Sequence, residues 1–175
     1  MRKIIGFKLV LRAHEIKRRA KKAKLDLDAL GLGQDPVLQK RLDEVAALLA
    51  PGVLFETFKH PDPDADRLSP MPGLAYSLIL ATLGREEPAA EPLWSLLRAA
   101  ALDETVRFAA SLLSDEAAKD VCELSPINPL SGTETLQTVL RKLEGSKVGV
   151  SLEKDVLKPA ASAAVSLSWL SKSKA

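Results

Sequence analysis

The chain has 175 residues, of which 46% are apolar, and its formal net charge is +2. This length and composition predict one soluble globular domain, and a charge so near neutral does not by itself indicate a nucleic-acid partner. A single cysteine excludes an internal disulfide framework, so a cytoplasmic protein is expected.

The N-terminal run MRKIIGFKLVLR predicts a strand within residues 4–12. Phe7, Leu9 and Leu11 are separated by residues that would face the opposite side, which is the period of a strand with one buried face. Lys8 interrupts the apolar run and no small-residue cleavage site follows, so we expect no signal peptide. No apolar run in the sequence is long enough to span a bilayer, so no membrane partner is expected.

The next segment, HEIKRRAKKAKL, predicts a short and strongly basic helix because Ile16, Ala20 and Ala23 fall on one stripe. Its cations could neutralise phosphates and are the best nucleic-acid feature of the chain. No aromatic residue lies among them to stack on a base, and charge runs of this kind are usually solvated surface. A nucleic-acid partner is therefore not expected. The cations are Lys17, Arg18, Arg19, Lys21, Lys22 and Lys24.

The middle of the chain predicts one helix and two strands. Pro36, directly after the capping residue Asp35, begins a helix that Pro51 would stop. VLFETFK (53–59) is rich in β-branched and aromatic residues, which predicts a strand. LAYSLILAT (74–82) is almost continuously apolar, which predicts a strand in the middle of a sheet with both faces covered.

The loop HPDPDADRLSPMPG lies between these two strands and carries three aspartates. Asp62, Asp64 and Asp66 imitate the start of a calcium-binding loop, but Gly73 stands where that loop needs a bidentate glutamate. A solvated acidic loop is therefore expected. No zinc site is expected either, because the one cysteine and the two histidines are far apart in sequence.

Two further helices and two further strands are predicted in the C-terminal half. Apolar residues recur at helical spacing over 93–121, as one helix or as two that meet near 102–103. Ser131 and Glu134 have the spacing of a capping box at the start of another helix, which Gly145 would close.

The last strands follow from alternation of apolar and polar residues. VGVSL (148–152) alternates, and so does ASAAVSLSW (161–169), in which the odd-numbered positions are apolar. Ser162, Ser166 and Ser168 then share the opposite face of the last strand, where they could line a groove or lie under a helix.

The elements in this order predict a single α+β domain over 1–170, in which helices pack on a mainly antiparallel twisted sheet. The tail 171–175 is expected to fray. Between the two C-terminal helices, Pro126 and Pro129 stiffen the turn at 122–130, which predicts a tight corner or the rim of a ligand site.

Residues 120–169 resemble the C-terminal half of the activation domain of cobalamin-dependent methionine synthase and its stand-alone relatives. The family's order of rim, capped helix, short strand and serine-rich strand is matched by ELSPIN, SGTETLQTVLRKLEG, VGVSL and PAASAAVSLSW. Upstream, YSLILATLG is similar to the family's central strand, with Thr82 and Gly84 at its closing turn. The resemblance implies a methionine synthase activation domain-like fold with a groove for S-adenosylmethionine, whose methyl group is presented to cobalamin.

The resemblance also implies where the cofactor would bind. In the family an arginine begins the rim and Gly-Tyr ends it, whereas Glu123, Ile127 and Asn128 stand at these positions. An arginine there can bind a carboxylate through charge-assisted hydrogen bonds of about 1.5–3 kcal/mol. A glutamate at the same position would repel that carboxylate. Family-style binding of S-adenosylmethionine is therefore expected to be weakened or lost. The implied cofactor-binding residues are Glu123, Leu124, Ser125, Pro126, Ile127, Asn128, Ser162 and Ser166.

Two functions of different classes follow. The resemblance implies an accessory protein that docks on a corrinoid protein or cobalamin-dependent methyltransferase and assists its reductive reactivation, with the cobalamin supplied by the partner. The alternative is a non-catalytic binding or assembly module that keeps only the scaffold, with a homodimer as one form. No residue of the chain is assigned a catalytic or metal-binding role.

Overall fold

The structure is a computed structural model and describes residues 1–84 and 92–172. These residues form one antiparallel sheet of six strands with helices packed on it, and a separate two-stranded hairpin, which confirms the predicted α+β architecture. The strands are β1 (Arg2–Ile5), β2 (Gly52–Lys59), β3 (Ala75–Thr82), β4 (Cys122–Leu124), β5 (Asn128–Pro129), β6 (Ser151–Glu153), β7 (Val156–Lys158) and β8 (Ser162–Ser171). The helices are α1 (Ala13–Lys22), α2 (Asp35–Leu48), α3 (Ala65–Leu68), α4 (Pro92–Lys119) and α5 (Thr133–Lys142), with a 3₁₀ helix at Gly145–Val148.

The sheet has the strand order β1-β2-β3-β8-β4, and β5 also pairs with β8. β3 lies at its centre and every residue of β3 is buried, as its continuous apolar sequence predicted. The long central pairing runs from Ala75 opposite Trp169 to Thr82 opposite Ser162. This register sets the position of β8, which borders the candidate site.

Helices cover both faces of the sheet. On one face α4 packs against Phe55, Ile79 and the odd-numbered residues of β8. On the other face α3, α5 and the β6–β7 hairpin pack against Leu54 and Leu78. The predicted alternation along β8 is confirmed, because its odd-numbered apolar residues face α4 while Ser166 and Ser168 are buried on the opposite side.

A third apolar cluster lies beyond one end of the sheet, where α1 and α2 pack against the N-terminal half of α4. Ile16 of α1, Leu38 and Leu42 of α2 and Ala101 of α4 are almost fully buried in it. Ala23, which was predicted to share the buried stripe of α1, is exposed because the helix ends at Lys22.

The first strand lies earlier than the predicted range 4–12, with which it shares only Ile4 and Ile5. β1 ends at Ile5, which pairs with Gly52 at the start of β2. Gly6 then adopts a left-handed φ of +68° and donates its N–H to the carbonyl of Pro51 at 2.9 Å. Beyond this point β2 offers no backbone to pair with, so residues 7–12 keep the alternating burial of a strand without its ladder.

Of the two alternatives that the sequence left open for 93–121, the structure has the single helix, and the predicted capping box is wrong. The region 93–121 contains one helix, which continues through 102–103 because Ala101 and Val106 on either side are both buried. The capping box does not form, since Gly132 caps α5 with a φ of +91° and no side chain bonds the helix start. Glu134 instead lies 3.2 Å from Arg67 as an ion pair.

Three short strands were not predicted. The turn at 122–130 contains β4 and β5, and the segment after β6 folds back as β7 through positive φ angles at Lys154 and Asp155. In the predicted tail, Ser171 still belongs to β8 and pairs with Cys122. The rest of that prediction, at 173–175, lies outside the described residues.

Candidate functional site

A groove of about 570 Å³ lies beside the first half of β8, and we call it the β8 groove. One wall is α4, and the other consists of the segment from Ile127 to the start of α5 together with the β6–β7 hairpin. Val106, Leu136 and Leu157 are buried side chains that face this space. The volume lies within the range of about 300–1,000 Å³ that is typical of small-molecule sites.

The groove exists because the partners of β8 change along its length. β4 pairs with the last residues of β8, and β5 pairs only with Ser166 and Val165. The N–H of Leu130 adds one bond to the carbonyl of Ala164 at 2.9 Å, after which the chain turns away into α5. Residues 162–164 therefore border the groove instead of a complete neighbouring strand.

Two of the eight predicted site residues line the β8 groove, namely Ile127 and Ser162. Ile127 projects from the turn between β4 and β5 and is 39% exposed. Ser162 donates its hydroxyl hydrogen to Thr82 Oγ1 at 3.0 Å, which connects the groove to the predicted central strand. The resemblance therefore identified one lining residue on the turn and one on β8.

Three other predicted site residues hold the rim on β8. The Ser125 amide donates to the Ser168 carbonyl at 2.9 Å, and the Ser125 hydroxyl oxygen accepts from the Ser168 amide at 2.8 Å. Asn128 Nδ2 donates to Ser166 Oγ at 3.1 Å. Ser166 is fully buried, so its hydroxyl serves this contact and is closed to solvent.

The remaining three predicted residues do not line the groove. Glu123 is exposed on β4 opposite Leu170, and Leu124 packs against the core under α4. Pro126 is exposed on the turn and accepts a hydrogen bond from the Ser125 hydroxyl at 3.1 Å through its carbonyl. The place of Glu123 on an edge strand gives it access to solvent beside the rim.

The charged side chains of the groove are largely engaged by neighbours. Asp103 accepts a hydrogen bond from Arg19 Nη2 at 2.6 Å. Arg107 donates to Glu104 at 2.8 Å and lies 3.6 Å from Glu15. Among the lining residues in the described part of the chain, Arg107 is the only cation, so the groove offers no unpaired positive charge.

Glu15 shows how strongly these cations are held. Burial by itself raises the pKa of Glu15, but the hydrogen bond from Arg19 and the charge of Arg107 outweigh burial and hold that pKa below its ordinary value. Glu15 therefore stays ionised and keeps Arg19 and Arg107 at the edge of the groove.

Sequence reasoning missed the three charged residues that line the groove, Asp103, Arg107 and Asp155. Asp155 accepts a hydrogen bond of 2.5 Å from the Thr133 hydroxyl, which joins the β6–β7 hairpin to the first turn of α5. A usable signal for Asp103 and Arg107 was their spacing of four residues, which places an acid and a base one helical turn apart on α4. No comparable local signal points to Asp155, because its position depends on the unpredicted hairpin.

A second polar cluster lies on the sheet face opposite α4. Asp62 accepts hydrogen bonds from Lys142 Nζ at 2.9 Å, from the Tyr76 hydroxyl at 2.9 Å and from the Asp64 amide at 2.9 Å. Lys142 also lies 3.2 Å from Asp64 and 4.5 Å from the centre of the Phe58 ring. The prediction of a solvated acidic loop is therefore wrong for Asp62, whose side chain is 14% exposed.

These contacts shift the ionisation of all three main partners. Burial raises the pKa of Asp62, yet the hydrogen bonds from Lys142, the Asp64 amide and Tyr76 bring it below its ordinary value. Burial lowers the pKa of Lys142, and the bonds to Asp62 and Asp64 raise it overall. Burial and the bond to Asp62 raise the pKa of Tyr76 to about 12.

The basic helix α1 is partly neutralised within the chain. Lys17 pairs with Asp35, and Arg19 pairs with Glu15 and Asp103. The side chains of its other cations are exposed, as expected for solvated surface. They are Arg18, Lys21, Lys22 and, just beyond the helix, Lys24.

Two kinds of feature are absent from the part of the chain that the structure describes. Within residues 1–84 and 92–172, no group of three or more His, Cys, Asp or Glu side chains is placed to hold a metal ion. Over the same ranges, no helix has the length and apolar character needed to cross a membrane. In comparisons with known proteins, no family model matches the chain and no curated protein matches it.

Proposed function

We propose that the chain is a cytoplasmic accessory protein of the methionine synthase activation-domain type. In this role it binds a corrinoid protein or a cobalamin-dependent methyltransferase and assists the reductive reactivation of the partner's cobalamin. One observation carries the proposal: the turn at 123–128, which bears the resemblance, borders the β8 groove and brings Ile127 into it. The cobalamin belongs to the partner, and the chain contributes a docking surface.

The charges around the groove favour weak or absent binding of S-adenosylmethionine. The amino-acid carboxylate of this ligand requires a cation, and Arg107 is already engaged by Glu104 and Glu15. Glu123 adds a negative charge beside the rim where the family has its arginine. The loss of a charge-assisted pair of about 1.5–3 kcal/mol corresponds to an affinity at least tenfold lower.

The apolar rim of the groove favours contact with a partner. Ile127 and Val156 both line the groove on the wall opposite α4 and are 39% and 53% exposed. Exposed apolar residues that flank a concave surface are typical of interaction sites. A partner that covers both residues would gain their burial, whereas a small polar ligand would gain little.

Calorimetric titration with S-adenosylmethionine tests the cofactor part of the proposal. The wild type is expected to bind no more tightly than the millimolar range. The variant Glu123→Arg/Ile127→Gly/Asn128→Tyr restores the family's rim and is expected to bind at least tenfold more tightly. Glu153→Arg makes the same charge reversal on the exposed strand β6 and should change nothing. Micromolar binding by the wild type would overturn the proposed loss.

Pull-down with a cobalamin-loaded methyltransferase, with and without reductant, tests the partner. The wild type is expected to retain the cobalamin-loaded protein under reducing conditions, and Ile127→Asp/Val156→Asp is expected to release it. Val37→Asp changes an apolar residue of similar exposure on α2 and should leave retention intact. Equal retention by the rim variant and the wild type would remove the β8 groove from the proposal.

The second candidate function is a non-catalytic binding or assembly module. Ser125 and Asn128 on the rim use their side-chain polar groups in hydrogen bonds to β8, which leaves few for a ligand. This observation favours the second function. A failure to bind both S-adenosylmethionine and the corrinoid partner, together with a stable homodimer in solution, would select this function.

A further inference from the structure

A groove of about 720 Å³ lies between α1 and the start of α4, and we call it the basic groove. Among the described residues, every charged side chain that lines it is a cation, whereas the β8 groove has charges of both signs. The two grooves share no lining residue, so the two sites can be tested separately. The lining residues are Arg18, Arg19, Lys22 and Ala23 on the α1 side and Ser95, Leu96 and Ala99 on α4.

Two of the three cations in the basic groove have no acidic partner. Arg19 donates to Glu15 at 3.2 Å and to Asp103 at 2.6 Å, so its charge is balanced within the chain. Arg18 and Lys22 are exposed, and within residues 1–84 and 92–172 neither forms a salt bridge or a side-chain hydrogen bond. They are four residues apart on α1 and therefore lie on one side of the helix, where like charges repel. A dianion placed between them would relieve this repulsion.

The rest of the lining suits an organic group. Leu96 and Ala99 give the α4 wall an apolar surface with little side-chain bulk, and Ser95 adds an exposed hydroxyl. A ring that covers this wall would gain the burial of its apolar area. The volume is within the range of about 300–1,000 Å³ that small-molecule sites have.

We propose that the basic groove binds an organic phosphate monoester, with the phosphate between Arg18 and Lys22 and the organic group against the α4 wall. A phosphate monoester has about two negative charges above its second pKa of about 6, which matches two unpaired cations. A guanidinium can donate two parallel hydrogen bonds to a phosphate, and a lysine adds a point charge. The phosphodiesters of nucleic acid have one charge each, and no aromatic residue lines the described groove to stack on a base.

Calorimetric titration of the whole chain tests the ligand class with naphthyl phosphate, naphthyl sulfate and inorganic phosphate. At about pH 7.5, naphthyl phosphate is expected to bind about tenfold more tightly than the sulfate, which has a similar shape and one charge less. It should also bind about tenfold more tightly than inorganic phosphate, which has no ring to bury. At about pH 5 the monoester loses one charge, so its advantage over the sulfate should disappear. Equal binding of all three probes at about pH 7.5, or no binding, would overturn the proposal.

Two double substitutions separate the groove from general charge attraction. Arg18→Gln/Lys22→Gln removes both unpaired cations and is expected to weaken naphthyl phosphate binding at least about tenfold. Lys21→Gln/Lys24→Gln removes two exposed cations of the same basic segment that do not line the groove, and should keep the affinity within about threefold. All four side chains are exposed, so both variants should fold. Equal losses in the two variants would indicate a diffuse basic surface of the kind that binds nucleic acid, and the proposal would fail.

A third variant tests whether the chain's own acids occupy the groove. Glu86, Glu87 and Glu91 precede α4 in the sequence and lie outside the described residues. Glu86→Gln/Glu87→Gln/Glu91→Gln should raise the affinity for naphthyl phosphate by less than about threefold. If naphthyl phosphate binds only to this variant, the cations serve the chain itself and the proposed site does not exist.

Discussion

Lys142 Nζ lies 2.9 Å from Asp62 Oδ2, although 80 residues separate the two in sequence. Lys142 ends α5 and Asp62 belongs to the proline-rich loop between β2 and β3. The Tyr76 hydroxyl completes the contact from the central strand at 2.9 Å. One largely buried carboxylate therefore joins a helix, a loop and the sheet on the face opposite α4.

Tyr76 is expected to titrate far above a free tyrosine. Burial and the hydrogen bond to Asp62 raise its pKa to about 12, whereas a tyrosine in an unfolded chain titrates near 10. Tyr76 is the only tyrosine of the chain, so tyrosinate absorbance reports it alone. At about pH 11 the folded protein should show little tyrosinate and the denatured protein mostly tyrosinate. A folded-state midpoint near 10 would contradict the placement of Tyr76.

Asp62 is expected to stabilise the fold at neutral pH and to lose this effect in acid. Its folded pKa lies below the ordinary value of about 3.9, so its contribution is present above about pH 4 and lost as the pH falls through the folded pKa. Urea unfolding at several pH values measures this. The free-energy difference between wild type and Asp62→Asn should be constant between about pH 5 and 7 and shrink below about pH 4.

The control for this measurement is Asp66→Asn in the same loop. Asp66 is exposed and has no partner within the described ranges. Its replacement should change the free energy of unfolding by less than about 0.5 kcal/mol across the same pH series. Similar curves for the two variants would mean that Asp62 has no special role.

Lys142 and its neighbour Arg141 form a natural pair for a stability test. Lys142→Met removes a 14% exposed charge and is expected to cost about 1.5–3 kcal/mol, because hydrogen bonds to charged groups contribute in this range. Arg141→Met removes a 70% exposed charge that lies 3.3 Å from Asp64 and is expected to cost less than about 0.5 kcal/mol. Chemical denaturation measures both, and equal costs would be inconsistent with the buried contact.

Gly73 is expected to be required where the loop joins β3. A Cβ at this position would lie 2.5 Å from the carbonyl oxygen of Trp169, and the backbone there is held in the sheet. Gly73→Ala should therefore lower the unfolding free energy by about 1–3 kcal/mol. Gly52→Ala is the matched control, since its Cβ would meet neighbours only at 3.5 Å and beyond. That substitution should be neutral or stabilise by about 0.4–1 kcal/mol.

The local sequence was sufficient to predict the long strands of the sheet. β2 was predicted because it is rich in β-branched and aromatic residues, β3 because it is almost continuously apolar, and β8 because its residues alternate. β4, β5 and β7 have two or three residues each, too few for a period to be recognised. Such short strands exist only because a neighbouring strand supplies their hydrogen bonds.

The residues of the candidate site also fall into those that a sequence motif located and those that only the structure revealed. The resemblance located Ile127 and Ser162, which do line the β8 groove, because both lie within motifs that are contiguous in sequence. Asp103 and Asp155 enter the groove from α4 and from the β6–β7 hairpin. No short motif contains them together, so only packing could bring them to one place.

By itself, the sequence determined the long helices and strands, which face of β8 is apolar, and that the chain forms an α+β domain. Only the tertiary structure decided that the alternating residues 7–12 have no strand partner, that Asp62 is bound by Lys142, and that the rim pairs with β8. The physical reason is the distance along the chain over which each kind of information acts. Side-chain periodicity acts over a few neighbouring residues, whereas a hydrogen-bond partner or a groove wall depends on which distant segments the buried core brings together.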